Sequence, residues 1–204
     1  MKPSQLLGAD SELEARGQSA TRERVPRVDP NRAQSFAPSQ MKVRMGPSGI
    51  QLFDRTTGLN ILIDEARVPT TLWAPAPRQV SVALTNACDF ACPFCYAPKN
   101  PAKLDAEKVA SWLRELDANG CLGVGFGGGE PTIYRGLTEV CHYTAKRTGL
   151  AVTLTTHAHR LDDSLIAALA GNVHFIRVSM DGTGATYEAL RGRPFAVLRR
   201  RPRP

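Results

Sequence analysis

The sequence lacks a hydrophobic run long enough to span a membrane, and its first residues lack the pattern of a secretory signal peptide. The opening stretch, MKPSQLLGADSELEARG, has acidic side chains where a signal peptide has its apolar segment. The even, distributed set of cysteines that stabilises small secreted domains is also missing, because three of the five cysteines fall within eight positions. We therefore expect a cytoplasmic protein in a reducing compartment, without membrane contact.

Aromatic residues are scarce, at 6% of the chain, and acidic residues are absent from the last fourteen positions. Those positions hold six of the 26 basic residues, which leaves 20 basic and 19 acidic residues in the other 190. A basic end can bind phosphates, but single-stranded nucleic acid also needs aromatic side chains on which its bases stack. No aromatic platform accompanies these arginines, so nucleic acid is not an expected partner.

The composition divides the chain into four segments. Residues 1–40 are polar and show no apolar periodicity, which predicts a disordered leader. Residues 41–78 alternate apolar and polar positions around GPSG and DRTTG, which predicts a small antiparallel strand unit, an N-terminal β-hairpin or a lid, followed by a proline-containing connector. Residues 79–192 have the rhythm of a folded core, and residues 193–204 predict an irregular tail rich in arginine and proline.

Within residues 79–192, short β-branched runs alternate with amphipathic stretches four times. The first pair is QVSVALT followed by LDAEKVASWLRELDANG, in which Asp105 is the predicted N-cap and Gly120 the predicted helix stop. Four strand-helix units in series predict an α/β fold with a parallel sheet and helices outside it, either a barrel or an open sheet.

Cys88, Cys92 and Cys95 directly follow the first of these strands, which places them on a loop at the strand's carboxyl end, where parallel α/β folds build their sites. A structural zinc site needs four ligands, so Cys121, Cys141 or a histidine would have to complete it. A 4Fe-4S cluster held by three thiolates keeps one iron free for a small molecule. The residues leave both metals open, and the cluster fits three thiols better.

The C-x3-C-x2-C run, with Phe94 just before its last cysteine, resembles the cluster loop of the radical S-adenosylmethionine (radical SAM) enzymes. The resemblance implies a partial parallel (β/α) barrel of the radical SAM type, with Cys88, Cys92 and Cys95 as ligands of a 4Fe-4S cluster. It further implies that the open iron binds SAM, whose reductive cleavage yields a 5′-deoxyadenosyl radical for hydrogen abstraction. A reductant such as flavodoxin or ferredoxin is then a partner. The expected substrate is a peptide side chain, ahead of a small cofactor precursor.

Two further stretches support the resemblance. GFGGGEPT ends the second strand, and in the family such a GGE segment contacts the methionyl amino group of SAM, which implies this role for Gly128, Gly129 and Glu130. Glycines let the backbone approach a ligand, and a carboxylate suits an ammonium. VSMDG closes the fourth strand and implies that Ser179 contacts SAM, although the residues alone equally favour a helix N-cap there. Phe94 is expected to pack on the cluster.

Four other residues are not expected to bind the cofactor or to take part in catalysis. His157 and His159, in the TTHAH segment at the end of the third strand, are read as solvated loop histidines rather than catalytic groups. Cys121 and Cys141 are read as small buried hydrophobes that pack the core.

The resemblance covers about residues 79–192, and the family barrel usually has six units where this sequence has four. We therefore expect a truncated or frameshifted copy, or a fragment of a longer product, with an open sheet edge that favours self-association and with impaired turnover. Two alternatives stay open. The cysteines could hold zinc or a cluster in a structural or redox-sensing module, or the chain could be a non-functional remnant.

Overall fold

A computed structural model describes residues 41–199, so the predicted leader and the last five residues lie outside the described part. The chain forms seven strands and five helices in that range, together with single 3-10 turns at Thr70–Leu72 and Pro131–Ile133. In chain order they are β1 (Met41–Gly46), β2 (Gly49–Asp54), β3 (Asn60–Ile63), β4 (Gln79–Thr85), α1 (Ala106–Ala118), β5 (Gly123–Gly128), α2 (Leu137–Arg147), β6 (Ala151–Thr156), α3 (Asp163–Leu169), β7 (Phe175–Val178), α4 (Gly184–Arg191) and α5 (Phe195–Arg199).

Four parallel strands form the main sheet in the order β4-β5-β6-β7, and each is followed by a helix. One face of this sheet and the inner faces of the helices make the core, which includes Leu84, Val109, Phe126, Val140 and Leu154. Each strand alternates its side chains between faces, so the β-branched runs supply this apolar layer. The predicted partial (β/α) barrel with four units is confirmed.

The helix ends follow local sequence signals. The Asp105 carboxylate accepts a hydrogen bond of 2.9 Å from the backbone N–H of Lys108, which caps α1 as predicted. Gly120 has a φ of +84°, and this left-handed conformation ends the same segment. Asp162 caps α3 in the same way, through a bond of 2.8 Å from the N–H of Leu165. These caps fix where each helix begins, and therefore how long the loops at the strand ends are.

The N-terminal unit is a three-stranded antiparallel sheet, β1-β2-β3, which has one strand more than the predicted hairpin. Arg55 binds it to the rest of the chain, because its guanidinium donates to the carbonyls of Ala145, Thr148 and Leu150, at and just beyond the C-terminal end of α2. Lys42 also pairs with Asp117. Helix C-termini in a βα fold lie at the amino ends of the strands, so these contacts do not make the unit a lid over the carboxyl ends.

The far edge of the parallel sheet is exposed within residues 41–199. There β7 pairs only with β6, and its side chains Phe175, Ile176 and Val178 are each at least 40% exposed. Beyond β7, the segment that was predicted to be irregular from residue 193 instead contains the short helix α5. Leu198 packs against the core, which is why the chain keeps helical form past Pro194.

Candidate cofactor site at the carboxyl ends of the parallel strands

Three partly exposed thiols lie on the loop between β4 and α1, where the sequence places them. Cys88, Cys92 and Cys95 are free and half-buried. The loop is shaped by its own bonds: the N–H of Cys95 donates to the carbonyl of Cys92 at 3.1 Å, and the N–H of Phe90 donates to the Cys88 sulfur at 3.4 Å. The thiols are thus held by a structured loop and are accessible to a metal.

The loop gives two of the thiols different acidities. Burial raises the pKa of the Cys88 thiol, and the nearby carboxylates of Glu130 and Asp89 act in the same direction. Hydrogen bonds from the backbone of Ala97 and from Lys99 lower the pKa of the Cys95 thiol. Cys95 therefore becomes a thiolate more readily than Cys88 in the chain without a metal.

The glycines of the GGE segment pack against the backbone of the cysteine loop. Gly128 has a φ of +124°, and a Cβ atom at Gly129 would lie 2.3 Å from the carbonyl oxygen of Ala87. The N–H groups of Gly129 and Glu130 donate to the carbonyls of Thr85 and Ala87 at 2.7 and 2.8 Å. From the sequence, these glycines are predicted to let a ligand approach the backbone closely. The structure shows that the backbone of the cysteine loop already lies too close to them for a side chain.

Glu130 is a buried carboxylate with a relative exposure of 1%. Its Oε1 accepts hydrogen bonds from the N–H and the hydroxyl of Thr132 at 3.2 and 2.6 Å, and from the Thr156 hydroxyl at 2.5 Å. Its Oε2 accepts from the N–H of His157 at 3.0 Å. These four hydrogen bonds offset the free-energy cost of removing the Glu130 carboxylate from water, and they hold it beside the cysteine loop.

His157 is buried, with 4% exposure, so the expectation of a solvated loop histidine is wrong for this residue. Its Nε2 atom lies 2.8 Å from Asp89 Oδ1 and 3.4 Å from Glu130 Oε2. Its ring stacks on Phe90 with a centroid distance of 3.9 Å and an interplanar angle of 4°. The half-buried His159 ring meets the Tyr187 hydroxyl at 2.9 Å, so it is not a freely solvated group either.

Sequence reasoning missed Asp89 and His157 as members of this site. The available signals were the position of Asp89 directly after Cys88 and the position of His157 at the end of a neighbouring strand. Both strand ends belong to the same rim of a parallel sheet, so the two side chains could have been paired from topology.

Two arginines, at and just after the end of α4, contact the cysteine loop, although sequence reasoning counted both only in the basic C-terminal end. Arg191 donates to the Cys92 sulfur at 3.6 Å, pairs with Asp181 at 2.5 Å, and lies 5.2 Å from the centre of the half-exposed Phe94 ring. Arg193 donates to the carbonyl of Asp89 at 2.5 Å.

Ser179 continues the β6-β7 pairing, because its N–H donates to the carbonyl of Thr156 at 2.9 Å. The alternative of a helix cap at Ser179 is wrong, since α4 begins at Gly184 and its capping position is Thr183. Ser179 thus lies at the same rim as Glu130 and His157, and its contact with SAM stays a prediction.

The two remaining cysteines lie apart from this rim. Cys121 and Cys141 are fully buried in the core, as predicted, and burial raises the pKa of Cys141 to about 12. The Cys121 thiol donates to the carbonyl of Gly123 at 3.3 Å, at the amino end of β5. Neither can therefore supply a fourth thiolate to the loop.

The donor chemistry of the loop fits a cluster with an open iron. Three soft thiolate donors on one exposed loop, with no further cysteine at this rim among residues 41–199, match a cluster that is bound at three of its four irons. Among the described residues, Cys88, Asp89 and His157 also place their ligand atoms within 4.8 Å of one another, a separation that suits a single ion.

Comparison with known proteins agrees with this geometry. Residues 82–201 match the family model described as "Radical SAM superfamily". The chain is 36% identical over 116 residues to a PqqA peptide cyclase of Rhodopseudomonas palustris, which covers 54% of this chain and 30% of the relative. It is 30% identical over 122 residues to the sporulation killing factor maturation protein SkfB of Bacillus subtilis. This match covers 57% of this chain and 29% of SkfB. The chain thus spans about a third of the length of these curated relatives.

The fold is shared with solved structures. Streptococcus suis SuiB superimposes with a TM-score of 0.62 at 18% identity, over 78% of this chain and 50% of that protein. The SuiB structure bound to S-adenosylmethionine gives a TM-score of 0.61 at 17% identity, over 78% of this chain and 51% of that protein. No helix within residues 41–199 is both long and apolar enough to cross a membrane. The family match extends over more than half of the chain, and so the chain belongs to the radical SAM superfamily, whose cofactors are a 4Fe-4S cluster and SAM.

Proposed function

We propose that this chain carries the cofactor-binding core of a radical SAM enzyme that acts on a peptide. The observation that carries the proposal is the structured loop of three accessible thiols, bound by backbone hydrogen bonds to the GGE segment. Cys88, Cys92 and Cys95 would hold the cluster as thiolates. When bound, the cluster and SAM supply one-electron cleavage of the cofactor and hydrogen abstraction from a substrate.

Gly128, Gly129 and Glu130 are assigned to the methionyl end of SAM. The support is electrostatic: Glu130 holds a buried carboxylate at this rim, and a buried negative charge attracts the ammonium of an amino acid. Its Oε1 already accepts three hydrogen bonds and its Oε2 accepts one from a backbone N–H, so Oε2 has more capacity for a further donor.

Ser179 and Phe94 are assigned weaker contacts. Ser179 is half-buried at the end of β7 and could donate its hydroxyl to a ligand at the rim. Phe94 presents a half-exposed ring beside Cys95, with the Arg191 guanidinium over its face. An aromatic face next to a cluster ligand would exclude water from that side of the cofactor.

A peptide is the proposed substrate, because relatives of this chain are named for peptides. One is a PqqA peptide cyclase, another is a maturation protein for a sporulation killing factor, and SuiB has been solved with the precursor peptide SuiA. A GTP 3′,8-cyclase of Chlorobaculum tepidum is 27% identical over 128 residues, which makes a small cofactor precursor the second choice. A flavodoxin or ferredoxin is the proposed electron donor.

The test is anaerobic reconstitution with iron and sulfide, followed by incubation with dithionite and SAM. We expect close to four irons per chain, and 5′-deoxyadenosine and methionine in equal amounts by mass spectrometry. Cys92→Ala should lose both products, whereas Cys141→Ala, which removes a buried thiol from the core, should keep them. Equal product from both variants, or iron binding unaffected by Cys92→Ala, would contradict the proposal.

A single divalent ion is the second candidate for this rim. The observation that favours it is the grouping of Cys88, Asp89 and His157, which offers one sulfur, one oxygen and one nitrogen ligand within 4.8 Å. Metal analysis of the chain purified without oxygen separates the two. Stoichiometric zinc without iron, lost in His157→Ala, would favour the single-ion site.

A further inference from the structure

The ends of three parallel strands meet at one imidazole. Asp89 lies on the loop after β4, Glu130 follows β5, and His157 follows β6. The His157 Nε2 atom is 2.8 Å from the Asp89 carboxylate and 3.4 Å from that of Glu130. We propose that His157 is a positioning residue that fixes the cysteine loop against the GGE segment through a bridge, in which its ring Nε2–H donates to Asp89 and its backbone N–H donates to Glu130. The proposal rests on the proposed function, since it gives the loop its role in holding the cofactor.

The hydrogen bonds of the ring define its tautomer. The backbone N–H of His159 donates to His157 Nδ1 at 3.1 Å, so Nδ1 is an acceptor and carries no proton. The proton of the neutral ring is therefore on Nε2, directed at Asp89. A fixed donor of this kind holds the loop in one orientation, as the outer partners of metal ligands commonly do.

The bridge joins residues that are far apart in sequence. His157 is separated by 68 positions from Asp89 and by 27 positions from Glu130. Its ring also stacks face to face on Phe90, the residue after Asp89, so the same side chain contacts the loop twice. Arg160 approaches Asp89 at 3.5 Å and Arg193 donates to its carbonyl, which balances the charge that Asp89 brings to the rim.

Two substitutions separate the hydrogen bonds from the stacking. His157→Phe keeps an aromatic ring of similar size against Phe90 but removes both ring nitrogens. His157→Gln gives up the stack but places an amide donor near the position of Nε2. Asp89→Ala removes the opposite partner at a solvent-accessible position, so it tests the bridge without a change in the core. His142→Gln, at an exposed site on α2, is the matched control.

The first measurement is amide hydrogen exchange by NMR in the full chain without a metal. The reporters are the amides of Phe90 and Glu130, which donate within the loop and across to it. Loss of one hydrogen bond to a carboxylate should speed their exchange by about tenfold or more in His157→Phe and Asp89→Ala. His157→Gln should restore most of the protection, and His142→Gln should not change it.

Two further results complete the test. The ring nitrogen shifts of His157 should show a protonated Nε2 and an unprotonated Nδ1 in the unmodified chain. After reconstitution, iron retained per chain should fall several-fold in His157→Phe and recover in His157→Gln.

The proposal is overturned if exchange in both His157→Phe and Asp89→Ala matches that of the unmodified chain. It is also overturned if His157→Gln is impaired as much as His157→Phe, because the donor would then not matter. Failure of the unmodified chain to assemble a cluster would instead count against the proposed function, and the exchange measurements would still decide on the bridge.

Discussion

The GGE segment allows a sharp prediction about stability, because Gly129 and Gly127, two glycines of the same run, have opposite surroundings. A Cβ atom at Gly129 would lie 2.3 Å from the carbonyl oxygen of Ala87 and 2.5 Å from that of Asn86, and the first distance is 0.7 Å below the 3.0 Å that real Cβ atoms respect. Both obstacles are backbone atoms, so the cysteine loop itself has to move. The shift would also weaken the bond from the N–H of Glu130 to Ala87.

We expect Gly129→Ala to lower the free energy of unfolding by about 3 kcal/mol, the upper end of the usual range for overpacking. With a urea m-value of about 2 kcal/mol/M, the unfolding midpoint falls by about 1.5 M. Gly127→Ala is the matched control, because its new Cβ would meet Thr155 Cβ at 4.0 Å, the nearest atom among the described residues. That variant should stay within about 0.5 kcal/mol of the unmodified chain.

The assay is a urea titration of the chain without a metal, in which circular dichroism monitors unfolding. Equal midpoints for Gly129→Ala and Gly127→Ala would refute the reasoning, because the close approach of the GGE segment to the cysteine loop would then not exist in solution.

Three more predictions follow from individual contacts. Iodoacetamide at pH 8 should alkylate Cys95 faster than Cys88 in the chain without a metal, since the lower pKa of Cys95 gives more thiolate at that pH, and peptide mass spectrometry measures the order. Arg55→Met should cost about 2 kcal/mol of unfolding free energy in urea, because the carbonyls at the end of α2 lose their donor. Arg191→Met should lower the midpoint potential of the reconstituted cluster in an EPR-monitored titration, because the donor beside the Cys92 sulfur favours the reduced, more negative state.

The elements of this fold could be predicted from the sequence because their signals are local. The alternation of β-branched runs with amphipathic stretches gives the four units, and Asp105 caps α1 where the pattern predicts. The cysteine loop could be placed for the same reason, since it directly follows β4. Topology alone then puts the loop and the GGE segment at one rim.

The details of the site could not be predicted because they depend on contacts between distant segments. His157 looked like a solvated loop residue until the fold brought it to Asp89, 68 positions away. Arg191 belonged to an acid-free arginine run, yet it lies 99 positions from the Cys92 sulfur to which it donates. The run of glycines is visible in the sequence, but the reason why glycine is needed there is not. That reason is the nearby backbone of the cysteine loop, which the fold brings next to the run.

We propose that three thiolates of the cysteine loop hold a cluster with one iron open to SAM. The most direct test is EPR of the reduced, anaerobically reconstituted chain, with and without SAM, in the unmodified protein and in Cys92→Ala. We expect a 4Fe-4S signal that shifts when SAM is added and that is lost in Cys92→Ala. No cluster in the unmodified chain, or a signal that SAM leaves unchanged, would contradict it.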